Sequence, residues 1–286
     1  MNPLVSILHI AAPLLLVTMG ALISEYAGRM AMFLECMINI GAFFCYAFTA
    51  ATHNLAAGMV LSVLCCTLMV LLFERTASHF HANMFLISLA MNMLFAALAT
   101  LFSAAIFGTR GVLFGDIFKF DARNTRLATT ILCYVFACAQ IAMLRFTTPG
   151  LTLRITGSDS DMLSAQGISV ARYRTLSWIF AAADGALCGC VLAARLSSYV
   201  PGMASGRGWT ALAAVFLGRK RPLIVAFSVL AFALAEYASS TVQNIPLLSH
   251  IPSSLLLAFP YLLALFLIVA VPQSRNSTED TTKGGV

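Results

Sequence analysis

Few residues in this sequence can hold a solute or a proton, and they sit among apolar neighbours. Glu35, Asp184 and Glu236 are carboxylates inside apolar runs, and Asn39 and Asn92 are carboxamides in the same setting. A charged side chain at the centre of a bilayer costs about 2.5–3.5 kcal/mol on insertion scales, so each needs a partner or a task. Asn39 follows Glu35 by four residues, which puts both side chains on one helix face. Such a stripe can offer donors and acceptors to a polar solute. Glu35 can equally pair with a backbone donor or with Arg29. Asn92 suits the same pathway, or it can staple two helices by hydrogen bonding. Asp184 lies in a run rich in Gly, Ala and Cys, where a small-residue face suits helix packing. Glu25 and Arg195 sit near the ends of apolar runs, within reach of lipid headgroups. Glu236 lies close to such an end and can belong to the pathway or to the interface.

Other chemistries lack their residues. No Gly-x-x-x-x-Gly-Lys-Ser/Thr loop occurs, so ATP is not bound by that mechanism, and no nucleophile stands beside a general base. The chain reads as a transport component rather than an enzyme, with no cofactor. Eight cysteines (Cys36, Cys45, Cys65, Cys66, Cys133, Cys138, Cys188 and Cys190) fall inside apolar runs. None forms a Cys-x-x-Cys pair or neighbours a His or Asp cluster at ligand spacing. They read as small reduced hydrophobes, and no metal site is expected. The 21 phenylalanines suit core and lipid contact, although rings can also stack on an aromatic ligand.

The elements that position these groups follow from composition. Of 286 residues, 60% are hydrophobic and 10% charged, and the mean hydropathy is +0.90. A soluble chain carries about 25% charged residues because its surface must face water. A soluble enzyme, a disordered chain and a nucleic-acid-binding module are therefore excluded, despite the net charge of +6. A membrane span needs about 20 apolar residues. Nine apolar stretches can be marked: Leu4–Ile23, Met30–Ala51, Leu55–Phe73, Met84–Phe107, Thr129–Leu144, Leu176–Leu196, Met203–Leu217, Leu223–Tyr237 and Leu255–Val271. The third and the fifth to eighth are short or broken by Gly, which fits tilted or broken helices. The fold class is thus all-α, a polytopic helical membrane protein. Residues 1–271 form the transmembrane domain, and 272–286 a polar, disordered tail. The first Lys or Arg is Arg29, so the first stretch reads as a retained span rather than a cleaved leader.

Basic residues orient the chain. Alternating loops place Arg29, Arg75, Arg145, Arg154, Arg172, Arg174, Arg219, Lys220, Arg221, Arg275 and Lys283 on one side. Arg110, Lys119, Arg123, Arg126, Arg195 and Arg207 fall on the other. The larger set marks the cytoplasm, with the N-terminus outside and the C-terminus inside a bacterial inner membrane. This scheme counts the short seventh stretch as a crossing. An inverted repeat fits the same layout: Gly28-Arg29 after the first stretch mirrors Gly206-Arg207 after the sixth, with Gly41 and Gly218 following.

Residues 145–177 form a long cytoplasmic loop. Pro149 and Gly150 suit the end of the fifth span. Ser158 and Asp161 have capping-box spacing, Asp159 and Asp161 suit the positive end of a helix dipole, and Gly167 suits a C-terminal stop. A helix of roughly two turns should result, exposing Met162 and Leu163 either to a partner protein or to lipid headgroups.

The run Gly157-Ser158-Asp159 with Ala165-Gln166-Gly167-Ile168 resembles the cytoplasmic loop of ATP-binding-cassette importer permeases of the branched-chain amino acid, ribose and nucleoside type. Further matches are Tyr199 to Ala214, the following Val215-Phe216-Leu217-Gly218-Arg219, Gly20 to Gly28, Leu34-Glu35, Gly41-Ala42-Phe43, Asn92 and Pro252 to Leu263. The likeness runs in order over nearly the whole chain and is strongest to the nucleoside-type permeases that depend on a basic membrane lipoprotein, a group that includes riboflavin importers of spirochaetes. Departures are Ser158-Asp159 in place of Glu-Asn, Cys36 in place of a glycine, and Asn39 and Asp184 at apolar positions.

This resemblance implies a permease subunit of an importer for a nucleoside, sugar or riboflavin. It implies a pathway at Glu35, Asn92 and Glu236, which the four-residue spacing from Glu35 extends to Asn39, and ATPase coupling through Gly157, Asp159, Met162, Leu163, Ala165 and Gly167. The implied partners are a second homologous permease, two P-loop ATPase domains, an extracytoplasmic substrate-binding lipoprotein and the lipid bilayer, without nucleic acid. The alternative is a stand-alone secondary carrier or facilitator with proton coupling at a membrane carboxylate. Such a carrier has no need of the 157–168 connector.

Overall fold

Long apolar runs can satisfy their backbone away from water only by pairing it internally, and a helix does so within one segment. A computed structural model of the protein describes residues 3–115 and 122–242, together with Leu262 and Phe266. Its helices are α1 (Pro3–Tyr26), α2 (Leu34–Thr52), α3 (Leu55–His79), α4 (Met84–Phe107), α5 (Ala122–Phe146), α6 (Thr148–Ser158), α7 (Ser160–Ala165), α8 (Val170–Leu196), α9 (Arg207–Leu217) and α10 (Pro222–Val242). Among the described residues the remaining regular feature is an antiparallel bridge between Leu113 and Tyr199.

Helices α1 and α8 form the axis of the bundle. From Ala11 to Ser24 every residue of α1 is buried, so its apolar character on all sides reflects a central position and not only lipid contact. Helix α2 lies against α8, where small residues bring the backbones together. A Cβ on Gly189 would stand 2.1 Å from the carbonyl oxygen of Ile38, and one on Gly41 would stand 2.6 Å from Ala186 Cα. The Gly/Ala/Cys-rich face of α8 is therefore a helix-packing face. Helices α3 and α4 lie outside α2 and expose leucines, phenylalanines and methionines such as Leu64, Leu68, Phe85 and Met93.

Seven described helices are long and apolar enough to cross a membrane, against nine expected stretches. The ninth stretch apart from Leu262 and Phe266, the tail 272–286, the Pro252–Leu263 motif apart from Leu262, and Lys119 lie outside the described residues. The seventh stretch contains a helix of only 11 residues, about 16 Å long at 1.5 Å per residue, or half the thickness of a hydrocarbon core. Conversely, α3, α5 and α8 are unbroken helices of 25, 25 and 27 residues. Their polar ends had hidden their true length. Pro149 and Gly150 do not end α5, which stops at Phe146; they open α6, with the Thr147 hydroxyl accepting from the Gly150 amide. Proline is tolerated there because a first-turn N–H has no helical partner.

All eight cysteines are free. No cluster of His, Cys, Asp or Glu capable of holding a metal occurs among the described residues.

Candidate functional site

Two helices begin inside the protein rather than at its ends. Helix α2 starts at Leu34, beside Gly185 in the middle of α8. The preceding residues 28–32 are irregular, and the segment dives from an exposed Gly28 to Ala31 and Phe33, which are fully buried. Irregular backbone at such depth must find partners in neighbouring side chains. The Ala31 amide donates to Ser24 Oγ at 3.2 Å, and the Met32 amide to Ser88 Oγ at 2.7 Å. Trp178 Nε1 donates to the Arg29 carbonyl at 3.0 Å. Asn92 Oδ1 accepts from the Cys36 amide at 2.9 Å, capping α2 from α4.

Helix α9 starts against the first turn of α2. Glu35 accepts from the Gly206 amide at 2.7 Å and, through its other oxygen, from the Gly208 amide at 2.8 Å. Asn39 Oδ1 accepts from the Ala204 amide at 3.0 Å. A carboxylate at a helix N-terminus satisfies free amides and meets the positive end of the dipole. Gly206, at φ +81°, supplies the left-handed residue from which α9 departs. Arg207 in turn reaches Glu236 of α10 at 2.5 Å. Its Nε is buried without a partner among the described residues.

Glu35, Asn39, Asn92 and Glu236 thus converge on the starts of α2 and α9. The 35/39 stripe faces one way, as its spacing required. Arg29 is not the partner of Glu35; it pairs with Glu74 at 2.8 Å. Glu74 also accepts from Thr175 Oγ1 at 2.9 Å; it lies one residue beyond the apolar stretch that ends at Phe73, where no local pattern distinguishes it from a span-end charge. Ser88 could have been found, since it precedes Asn92 by one helical repeat. Arg207 lies at the junction and not in an outer loop. The Gly28 and Gly206 pairs therefore differ in position: Gly28 precedes α2 by several residues, whereas Gly206 directly precedes α9.

Glu25 and Arg195 do not reach for headgroups. Glu25 pairs with Lys220 at 2.9 Å. Arg195 donates to the His9 carbonyl at 2.6 Å, Thr129 Oγ1 at 3.0 Å and Thr130 Oγ1 at 2.8 Å. Asp184 is buried and accepts from Gln140 Nε2 at 2.7 Å, fastening α8 to α5. Both residues are among those lining an otherwise apolar groove of about 620 Å³ between α3, α5 and α8.

The second cluster is the pair α6–α7. Asp159, not Ser158, caps α7, accepting from the Met162 amide at 3.0 Å. Ser158 Oγ turns back to the carbonyls of Arg154 and Ile155. Gly167 ends the turn at φ +75°, as its position suggested. Met162 is 49% exposed but Leu163 only 2%, so one apolar side chain rather than two faces outward. Ala165 is exposed beside it. Gly157 is in close contact with Tyr26 and Gly28 at the end of α1. A cavity of about 450 Å³ opens between Pro149, Gly167, Ile168, Arg172, Tyr173 and Leu176.

Comparison with known proteins gives a consistent picture. The family described as branched-chain amino acid transport system / permease component matches residues 4–272. The guanosine ABC transporter permease protein NupQ of Bacillus subtilis is 28% identical, over 89% of this chain and 87% of its own. The nucleoside ABC transporter permease protein NupC of Lactococcus lactis is 26% identical, over 91% and 90%. The putative glucose ABC transporter permease protein TsgC13 of Haloferax volcanii is 26% identical, over 83% and 76%. Among solved structures, PsaBC from Streptococcus pneumoniae in complex with Fab superimposes with a TM-score of 0.57 at 14% identity, covering 96% of this chain and 94% of that one. That likeness concerns the fold.

Proposed function

Because this chain belongs to the branched-chain amino acid transport system permease family, we propose that it forms half of the pathway of an ATP-driven importer for nucleosides. As a permease component it is a multi-pass membrane protein and a transport subunit; ATP hydrolysis belongs to separate chains. Membership of this family sets aside the solitary carrier. The nucleoside assignment is carried by the likeness to guanosine and nucleoside permeases along nearly the full length of each.

The pathway runs past the junction of α2 and α9. Two helix N-termini meeting inside the bundle create a positive end that suits solute oxygens. Glu35, Asn39, Asn92 and Glu236 frame it, and the open Arg207 Nε favours a solute carrying an acceptor. These paired interior helix starts also support an inverted relation between α1–α2 and α8–α9. A second, homologous permease completes the pathway.

Two P-loop ATPase domains dock on the cytoplasmic loops of the two permeases, in this chain on α6 and α7 at Asp159, Met162, Ala165 and Gly167, beside the cavity at Pro149. An extracytoplasmic binding lipoprotein delivers solute at the other end. The end bearing α6 and α7 also holds Arg29, Arg145, Arg154, Arg172, Arg174 and Lys220, which supports a cytoplasmic assignment in a bacterial inner membrane. ATP binding then shifts the population between outward-open and inward-open states.

Uptake of tritiated guanosine by proteoliposomes holding the complete transporter tests this reading. Uptake should require ATP and be competed by unlabelled adenosine but not by glucose or riboflavin. ATP-dependent uptake of labelled glucose or riboflavin in the absence of guanosine uptake would replace the solute class. Uptake without ATP would overturn the energy source.

A further inference from the structure

Helix α9 runs from the Glu35 junction to the end of the bundle that carries α6 and α7. At that end the turn after α9 meets the last two residues of α1: Lys220 Nζ pairs with Glu25 at 2.9 Å, and beside it stands Tyr26, which is 8% exposed. The Tyr26 hydroxyl donates to the carbonyl of Lys220, in the turn that follows α9. Arg154 of α6 lies over the Tyr26 ring, 5.4 Å from its centroid. Gly157 of α6 is so close to the same residue that an added Cβ would stand 2.3 Å from the Tyr26 carbonyl oxygen and 2.8 Å from the Gly28 nitrogen. Helix α6 therefore touches Tyr26 through both ring and backbone, and Tyr26 touches α9 through its hydroxyl.

The turn gripped by that hydroxyl is unusual. Arg219 and Lys220 adopt φ of +48° and +57° in succession, a left-handed conformation that side-chain-bearing residues keep only where their surroundings hold them. Capping bonds fasten this turn to the end of α9: the Lys220 amide donates to the Val215 carbonyl at 3.2 Å, and the Arg221 amide to the Gly218 carbonyl at 2.9 Å. A pull on the Lys220 carbonyl is thus transmitted to α9 as a unit. At the other end of α9 the Gly206 and Gly208 amides rest on Glu35.

We propose that Tyr26 is the positioning residue that makes α9 follow α6, so that displacement of the cytoplasmic helices reaches the Glu35 junction. This rests on the reading of the chain as an ATP-driven importer. Gly157 serves the same contact from the α6 side: it lets α6 sit directly on the end of α1. The side chain of Lys220 is secondary, because the hydroxyl takes hold of its backbone carbonyl and not its amine.

The test uses the complete transporter with its ATPase chains in nanodiscs. Trp209 lies exposed on α9 and is one of 2 tryptophans in this chain. The part of the emission change on adding ATP and vanadate that Trp209→Phe removes therefore reports on α9. Tyr26→Phe keeps the ring beneath Arg154 and deletes the tie. It should abolish that signal and lower guanosine uptake about tenfold, with ATP hydrolysis within about twofold of wild type. Lys220→Ala spares the carbonyl and should keep the signal. Persistence of the signal in Tyr26→Phe overturns the proposal, as does its absence in the wild type. A parallel fall of ATP hydrolysis and uptake in Tyr26→Phe also overturns it, because the tie would then serve assembly. Wild type that shows the Trp209 signal without guanosine uptake removes the nucleoside assignment and leaves the Tyr26 link standing.

Discussion

The interior junction and the cytoplasmic pair α6–α7 start their helices in opposite ways. At the junction the caps come from far along the chain: Asn92 serves the Cys36 amide, and Glu35 serves those of Gly206 and Gly208. In the cytoplasmic pair each cap is local: Thr147 serves Gly150 and Asp159 serves Met162. The difference follows the solvent. Water satisfies an open amide outside the membrane at little cost, whereas one left open inside costs several kcal/mol. Interior helix starts must therefore be held by tertiary contacts, and those contacts lock their geometry. A pair that caps itself can be displaced by a partner without exposing unsatisfied groups.

Thermal unfolding of the purified permease can break this contrast. Glu35→Gln should have the largest effect, because Gly206 and Gly208 each use a separate carboxylate oxygen and Gln replaces one of these with an N–H donor. A loss of about 2–3 kcal/mol is expected, with the protein still in the membrane and uptake reduced. An unchanged melting temperature would mean that the junction amides find water. Asn92→Leu, which uncaps α2, should cost about 1–2 kcal/mol in the same assay. The Arg207–Glu236 pair is partly exposed, at 21% and 38%, so a double-mutant cycle should show coupling of only about 1 kcal/mol or less. Met162→Asp should change the stability by no more than about 0.5 kcal/mol yet abolish co-purification of the ATPase chains. Retained co-purification would sink the docking role of Met162. Leu163→Asp, by contrast, should unfold α7 locally, visible as faster amide exchange there, because its side chain is buried.

Much of the fold was legible because it depends on local pattern. Apolar runs announced helices, the four-residue step from Glu35 to Asn39 announced a shared face, and Gly167 announced the end of α7. The errors fell where local pattern is ambiguous. Met30 to Phe33 are apolar enough to continue a helix, yet the chain there is irregular, because Ser24 and Ser88 accept its amides. Pro149 reads equally as a stop or a first turn, and only the Thr147 cap decides. Glu74 lies beyond an apparent span end, and its value comes from Arg29 and Thr175, which are distant in sequence.

By itself the sequence determined that most of this chain must be helical and out of water, because its scarce charges cannot cover a soluble surface. It also identified the few polar groups that the interior would have to accommodate. Only the tertiary structure decided what those groups do. A carboxylate among apolar residues is equally suited to a solute, a proton or a backbone amide, and its neighbours in space settle which it meets. For Glu35 those neighbours are the first amides of α9, contributed by residues 171 and 173 positions away. The physical reason is that helix formation is a local property of the chain, whereas satisfying a helix start in the absence of water is a property of the packed bundle.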